Sequence, residues 1–123
     1  MSNPLALVVE DDWELATIFA AALQAAEFET EIIQDGRLAI NRLDVVNPAL
    51  VILDLHLPFV SGREILHHIR ADARLAETKV IITTADAAVA EILQNQVDFS
   101  LIKPVRPTHL LNLATHLRST TST

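Results

Sequence analysis

Five times along this chain a short strand-like run gives way to a stretch whose apolar residues recur at helical spacing. That alternation leaves few folds open. Leu5-Ala6-Leu7-Val8-Val9 is the first run, and its unbroken apolarity is what a strand buried on both faces shows. Glu29 to Ile33 is weaker and suits an edge strand. Leu50 to Leu53 is again fully apolar, Lys79 to Thr83 is a fourth strand, and Phe99 to Ile102 a fifth. Between them, Glu14 to Ala26 places Leu15, Ile18, Phe19, Ala22, Leu23 and Ala26 on one helical face. Arg37 to Leu43 forms a short helix with Leu38, Ile40 and Leu43 inward, and Asn47-Pro48 breaks it. Arg63 to Ala71 turns Ile65, Leu66 and Ile69 to one side, and Ala87 to Leu93 is helical in composition. A last helix, capped by Thr108, carries Leu110, Leu111, Leu113, Ala114 and Leu117.

Strands alternating with amphipathic helices predict an α/β fold, a parallel sheet with helices on both faces. The 123 residues, half of them hydrophobic, suit one domain with one core, here residues 1–118, with 119–123 as a flexible tail or the start of a linker. No apolar stretch approaches the roughly 20 residues of a membrane span, and Met1-Ser2-Asn3-Pro4 lacks the basic opening of a signal peptide. Without cysteine there are no disulfides, no thiolate chemistry and no cysteine-bound metal, which fits a cytoplasmic location. A net charge of −7 repels phosphate backbones, so direct nucleic-acid binding by this domain is not expected.

In a sheet of this kind ligands sit beyond the carboxyl ends of the strands. Sequence position thereby becomes spatial position. Glu10 and Asp11 follow strand one, Asp54 strand three, Thr84 strand four and Lys103 strand five, so all five gather at one rim. Three carboxylates in one pocket repel one another and raise each other's pKa unless a cation joins them. Oxygen ligands with no His or Cys partner favour Mg²⁺. A lysine and a hydroxyl across the pocket complete the equipment for handling a phosphoryl group, with a carboxylate able to attack phosphorus.

The stretches Leu7-Val8-Val9-Glu10-Asp11-Asp12, Val51-Ile52-Leu53-Asp54-Leu55-His56-Leu57-Pro58 with Gly62, Ile82-Thr83-Thr84-Ala85, and Leu101-Ile102-Lys103-Pro104 stand in order at strand ends. Together they make the whole chain resemble a receiver domain of two-component response regulators. The resemblance implies a three-layer αβα, flavodoxin-like fold with strand order 2-1-3-4-5. It implies that Asp54 accepts a phosphoryl group from a histidine kinase or a histidine phosphotransfer protein, that Glu10, Asp11, Asp54 and the backbone carbonyl of His56 hold Mg²⁺, and that Thr84, the Ala85 N–H and Lys103 hold phosphoryl oxygens. It further implies a cis Lys103–Pro104 bond, a downstream effector domain or protein, and a homodimer through the face of helix four, strand five and helix five. Such a module catalyses its own phosphorylation and dephosphorylation without being a turnover enzyme. A phosphatase of the haloacid-dehalogenase type also uses a strand-end Asp, but it needs a second Asp where His56 stands. A degenerate, unphosphorylated interaction module would not need the full set of five.

Three positions depart from the family pattern. Ser100 stands where an aromatic switch residue is common, Gln96-Val97 where Gly-Ala is, and Phe59 where Gly is. Among the remaining polar residues, Asp12 reads as a helix cap, Thr83 as pointing away from the site, and Trp13 as packing at the first helix start. His67, His68, His109 and His116 read as surface residues.

Overall fold

The structure is a computed structural model that describes residues 3–121. Its strands are β1 (Leu5–Val9), β2 (Glu29–Ile33), β3 (Leu50–Asp54), β4 (Lys79–Thr84) and β5 (Phe99–Ile102). Its helices are α1 (Trp13–Ala25), α2 (Gly36–Leu43), α3 (Gly62–Ala71), α4 (Ala87–Leu93) and α5 (Pro107–Thr121). All strands are parallel, in the order β2-β1-β3-β4-β5, as expected of a flavodoxin-like sheet.

Alternation along the strands divides the core into two layers. Ala6, Val8, Leu50, Ile52, Ile81 and Leu101 pack against α1 and α5. Leu7, Val9, Val51, Leu53, Val80 and Ile82 face α2, α3 and α4. Every residue of β3 is buried, Asp54 included. Each buried Leu, Val or Ile contributes about 1.5–3 kcal/mol. The strand is therefore a stiff support for the carboxylate at its end.

The helices start on side-chain caps. Asp12 accepts the N–H of Leu15, Asp35 that of Leu38 and Ser61 that of Glu64, so Asp12 is the cap its sequence context predicts. Thr108 is not a cap. Helix α5 begins one residue earlier at Pro107, whose fixed φ and missing N–H suit the first helical position. The same helix runs on through Thr121, past the expected boundary at 118, while Ser122 and Thr123 lie outside the described residues.

Two apolar residues assigned inward face water instead, as does Trp13, expected to pack at the start of α1. Leu38 is 56% exposed and Ile18 45%. In α2 the buried positions are Gly36, Ala39 and Leu43, and Leu38 lies well round the helix from them. In α1 the buried Ala16, Phe19, Ala20 and Leu23 similarly leave Ile18 outside. Among the described residues no helix is long and apolar enough to cross a membrane.

Candidate functional site

The carboxyl ends of β1, β3 and β5 converge as the strand order predicts. Glu10, Asp11 and Asp54 each offer a carboxylate oxygen within 4.8 Å of the others. Glu10 and Asp54 are buried and Asp11 is exposed, so the pocket opens to water on one side. Lys103 reaches over from the end of β5, its Nζ 3.3 Å from Asp54 Oδ1 and 3.4 Å from Glu10 Oε1. The backbone sets the rest. His56 N–H donates to Asp54 Oδ1 at 3.0 Å, and Asp12 N–H donates to Glu10 Oε2 at 3.2 Å.

These contacts account for the electrostatics. Burial, with the neighbouring Asp54 charge adding to it, pushes the Glu10 carboxyl up to about 7 against the pull of Lys103 and the Asp12 N–H. Burial alone would lower the Lys103 amine. The attraction of Asp54 and Glu10 outweighs it and holds the amine above its ordinary value. Lys103 thus stays a cation, while the carboxylates beside it are left competing for too little positive charge. Three oxygen donors, with no sulfur or imidazole among them, fit a hard divalent cation such as Mg²⁺.

Thr84 closes β4 and is buried. Its Oγ1 accepts the N–H of Asp86 at 3.1 Å, and its carbonyl accepts the N–H of Lys103 at 2.9 Å, which ties the lysine's backbone to β4. Asp86 in turn caps α4 through the N–H groups of Ala88 and Val89. The Lys103–Pro104 bond is cis, as expected. His56 is exposed at the rim.

The segment after Asp54 turns sharply back into α3, and Gly62 makes this possible. A Cβ there would lie 2.3 Å from the Asp54 carbonyl oxygen and 2.5 Å from Leu55 Cα. Phe59, the residue in place of the usual glycine, takes φ 69°, and the Arg37 guanidinium stacks 3.9 Å from its ring centroid.

Two features escaped the sequence. One is the direct pairing of Lys103 with Glu10 as well as Asp54. The other is Thr83, expected to point away. Its Cα pairs with Asp54 across β3 and β4, and paired residues in a parallel sheet face the same side. The register was the missing signal, because nothing in the residue types says whether Thr83 or Thr84 shares the Asp54 face.

Comparison with known proteins decides the family. The family model for the response regulator receiver domain matches residues 6–115. The chain belongs to that family. This receiver domain is 32% identical over 105 residues to the DNA-binding response regulator MtrA of Mycolicibacterium paratuberculosis, covering 85% of the chain and 47% of that protein. It therefore spans about half the length of that curated relative. The Francisella response regulator 1452 receiver domain superposes with a TM-score of 0.84 at 25% identity, over 98% of this chain and 100% of that one. The receiver domain of the Pseudomonas aeruginosa PAO1 sensor histidine kinase PA1611 has the same fold, with a TM-score of 0.84 at 22% identity over 96% and 99% of the two chains. That protein has a magnesium ion coordinated in its active-site cleft. Receiver domains are signalling modules of two-component systems, working with histidine kinases and output domains, and the acidic pocket of such a module is present here.

Proposed function

We propose that Asp54 is the phosphoacceptor of this receiver domain. The observation that carries the assignment is the Lys103 ammonium 3.3 Å from Asp54 Oδ1, in a pocket shared with two further carboxylates. An Asp54 oxygen attacks the phosphorus of a phosphohistidine on the partner. The new P–O bond forms as the P–N bond breaks, and the imidazole leaves with a proton. The buried β3 strand fixes the direction of attack, and the His56 N–H and Lys103 hold the Oδ1 oxygen of the carboxylate in place. Lys103 pairs with a phosphoryl oxygen as negative charge arrives. The Thr84 hydroxyl, which accepts the Asp86 N–H, donates its own O–H to a second phosphoryl oxygen, joined by the Ala85 N–H.

Glu10, Asp11, Asp54 and the His56 carbonyl would hold Mg²⁺, which supplies charge neutralisation for the incoming phosphoryl group. Water then attacks the phosphorus of the acyl phosphate, breaking the Asp54 O–P bond, and inorganic phosphate leaves as Asp54 returns to its carboxylate. The partners are a histidine kinase or histidine phosphotransfer protein on the input side, and an effector domain or protein on the output side, in the cytoplasm. The face of α4, β5 and α5 bears the exposed apolar residues Ile92 and Ile102 and suits an effector or a second copy of the chain. With Mg²⁺ and a small acyl phosphate, the wild-type chain should gain one phosphoryl group by mass spectrometry, and Asp54→Asn none. Labelling that persists in the Asn variant would remove Asp54 from the role.

A further inference from the structure

Thr83 is 1% exposed, and among the described residues its Oγ1 is a buried side-chain oxygen without a hydrogen-bond partner. A hydroxyl left so costs stability that a valine of the same shape would not cost. Its place in the sheet suggests a use. Strand alternation puts Glu10 with Val8, Asp54 with Ile52 and Thr83 with Ile81, all on the α1/α5 side. Thr83 is the Cα partner of Asp54 on one side and of Leu101 on the other. Lys103 follows β5, yet its amine lies against Asp54 at the end of β3 and Glu10 after β1. Strands are about 4.8 Å apart. The lysine stem therefore crosses β4 on the side that Thr83 occupies.

We propose that Thr83 is a positioning residue for Lys103, its hydroxyl accepting an ammonium N–H as the phosphoryl group is transferred to Asp54. An ammonium has three donors and no acceptor. In the resting protein two are spent on Glu10 and Asp54. Acylation of an Asp54 oxygen by phosphorus removes the full carboxylate charge, and the amine turns towards the phosphoryl oxygens. A donor facing β4 then needs an acceptor, and Thr83 Oγ1 is a buried oxygen on that face of β4 with its lone pairs unused. The hydroxyl keeps the amine over the sheet instead of letting it swing into water. This inference rests on the phosphoacceptor role of Asp54.

The test compares Thr83→Val and Thr83→Ser with the wild-type chain. Phosphorylation by acetyl phosphate in saturating Mg²⁺ is followed by mass spectrometry, the Asp54–phosphorus bond forming as acetate leaves. Urea unfolding is measured without the donor. The valine variant should be phosphorylated roughly tenfold more slowly, the size of one hydrogen bond from a charged donor. It should be at least as stable as the wild type, and the serine variant should keep a rate close to the wild-type one. A valine variant that reacts at the wild-type rate overturns the proposal. So does a serine variant as slow as the valine one, which would show that the methyl group matters and not the hydroxyl. A valine variant less stable than the wild type also overturns it, because the hydroxyl would then already be bonded at rest. Failure of the wild type to take up phosphate brings down the phosphoacceptor role and this inference with it. Normal wild-type uptake with an unaffected valine variant brings down the Thr83 role alone.

Discussion

Removing the charge of Glu10 should stabilise the metal-free protein, and should do so more as pH rises. The folded state raises the Glu10 pKa from 4.5 to about 7. At 1.36 kcal/mol per unit, an ionised Glu10 destabilises the fold by about 3 kcal/mol. A raised carboxyl pKa means that the folded state binds the proton more tightly than the unfolded chain. Stability from this group is therefore greatest below pH 4.5, declines as pH climbs from 4.5 to 7, and stays at its floor above 7. At pH 5 the penalty is roughly 1 kcal/mol, and at pH 8 it is roughly 3 kcal/mol. Glu10→Gln mimics the uncharged carboxyl and keeps one of the two oxygens that serve Lys103 and the Asp12 N–H. In urea unfolding with a chelator present, the variant's advantage over wild type should grow by about 2 kcal/mol between pH 5 and pH 8. Any fixed difference between Gln and a neutral Glu cancels in that comparison. Saturating Mg²⁺ at pH 8 should then narrow or reverse the gap, because the metal stabilises the state that holds it and the wild type holds it with the extra charge. Stability curves that run parallel from pH 5 to pH 8 would refute the account of Glu10 as a buried, charge-starved carboxylate.

Glu27 ends α1 at φ 70°, with Phe28 N–H donating to the Leu23 carbonyl, and its side chain is exposed. A left-handed residue with a Cβ is strained by roughly 1–2 kcal/mol, of which glycine's extra chain entropy takes back part. Glu27→Gly should therefore raise the unfolding free energy by about 0.5–1 kcal/mol in urea, and a loss would contradict the strain. Gly62→Ala forces a methyl to within 2.3 Å of the Asp54 carbonyl oxygen. It should cost about 2 kcal/mol in the same assay and slow phosphorylation by acetyl phosphate, since the backbone that must shift carries the proposed nucleophile. An alanine variant with wild-type stability would show that the β3–α3 connection is looser than its packing indicates.

What could be read from the sequence follows the physics of burial. Leu5–Val9 and Leu50–Leu53 were legible because strands covered on both faces have no reason to alternate, and the two runs stand out against everything around them. Glu10, Asp11, Asp54 and Lys103 were legible for a related reason. A charge placed directly after a buried run has its direction set by the strand, so that knowing the strand order was enough to bring the four together. Leu38 and Ile18 were not. Helical spacing in a short apolar segment allows more than one inward face, and the choice is made by the partner surface, which the segment does not contain. Thr83 and Thr84 show the same limit at the resolution of a single residue. Two adjacent threonines must point to opposite sides of the sheet, and only the pairing of β4 with β3 tells which of them shares the Asp54 face. The acidic rim was thus legible as a set of strand ends. The division of labour within it depends on cross-strand register, a property of two segments at once that neither carries alone.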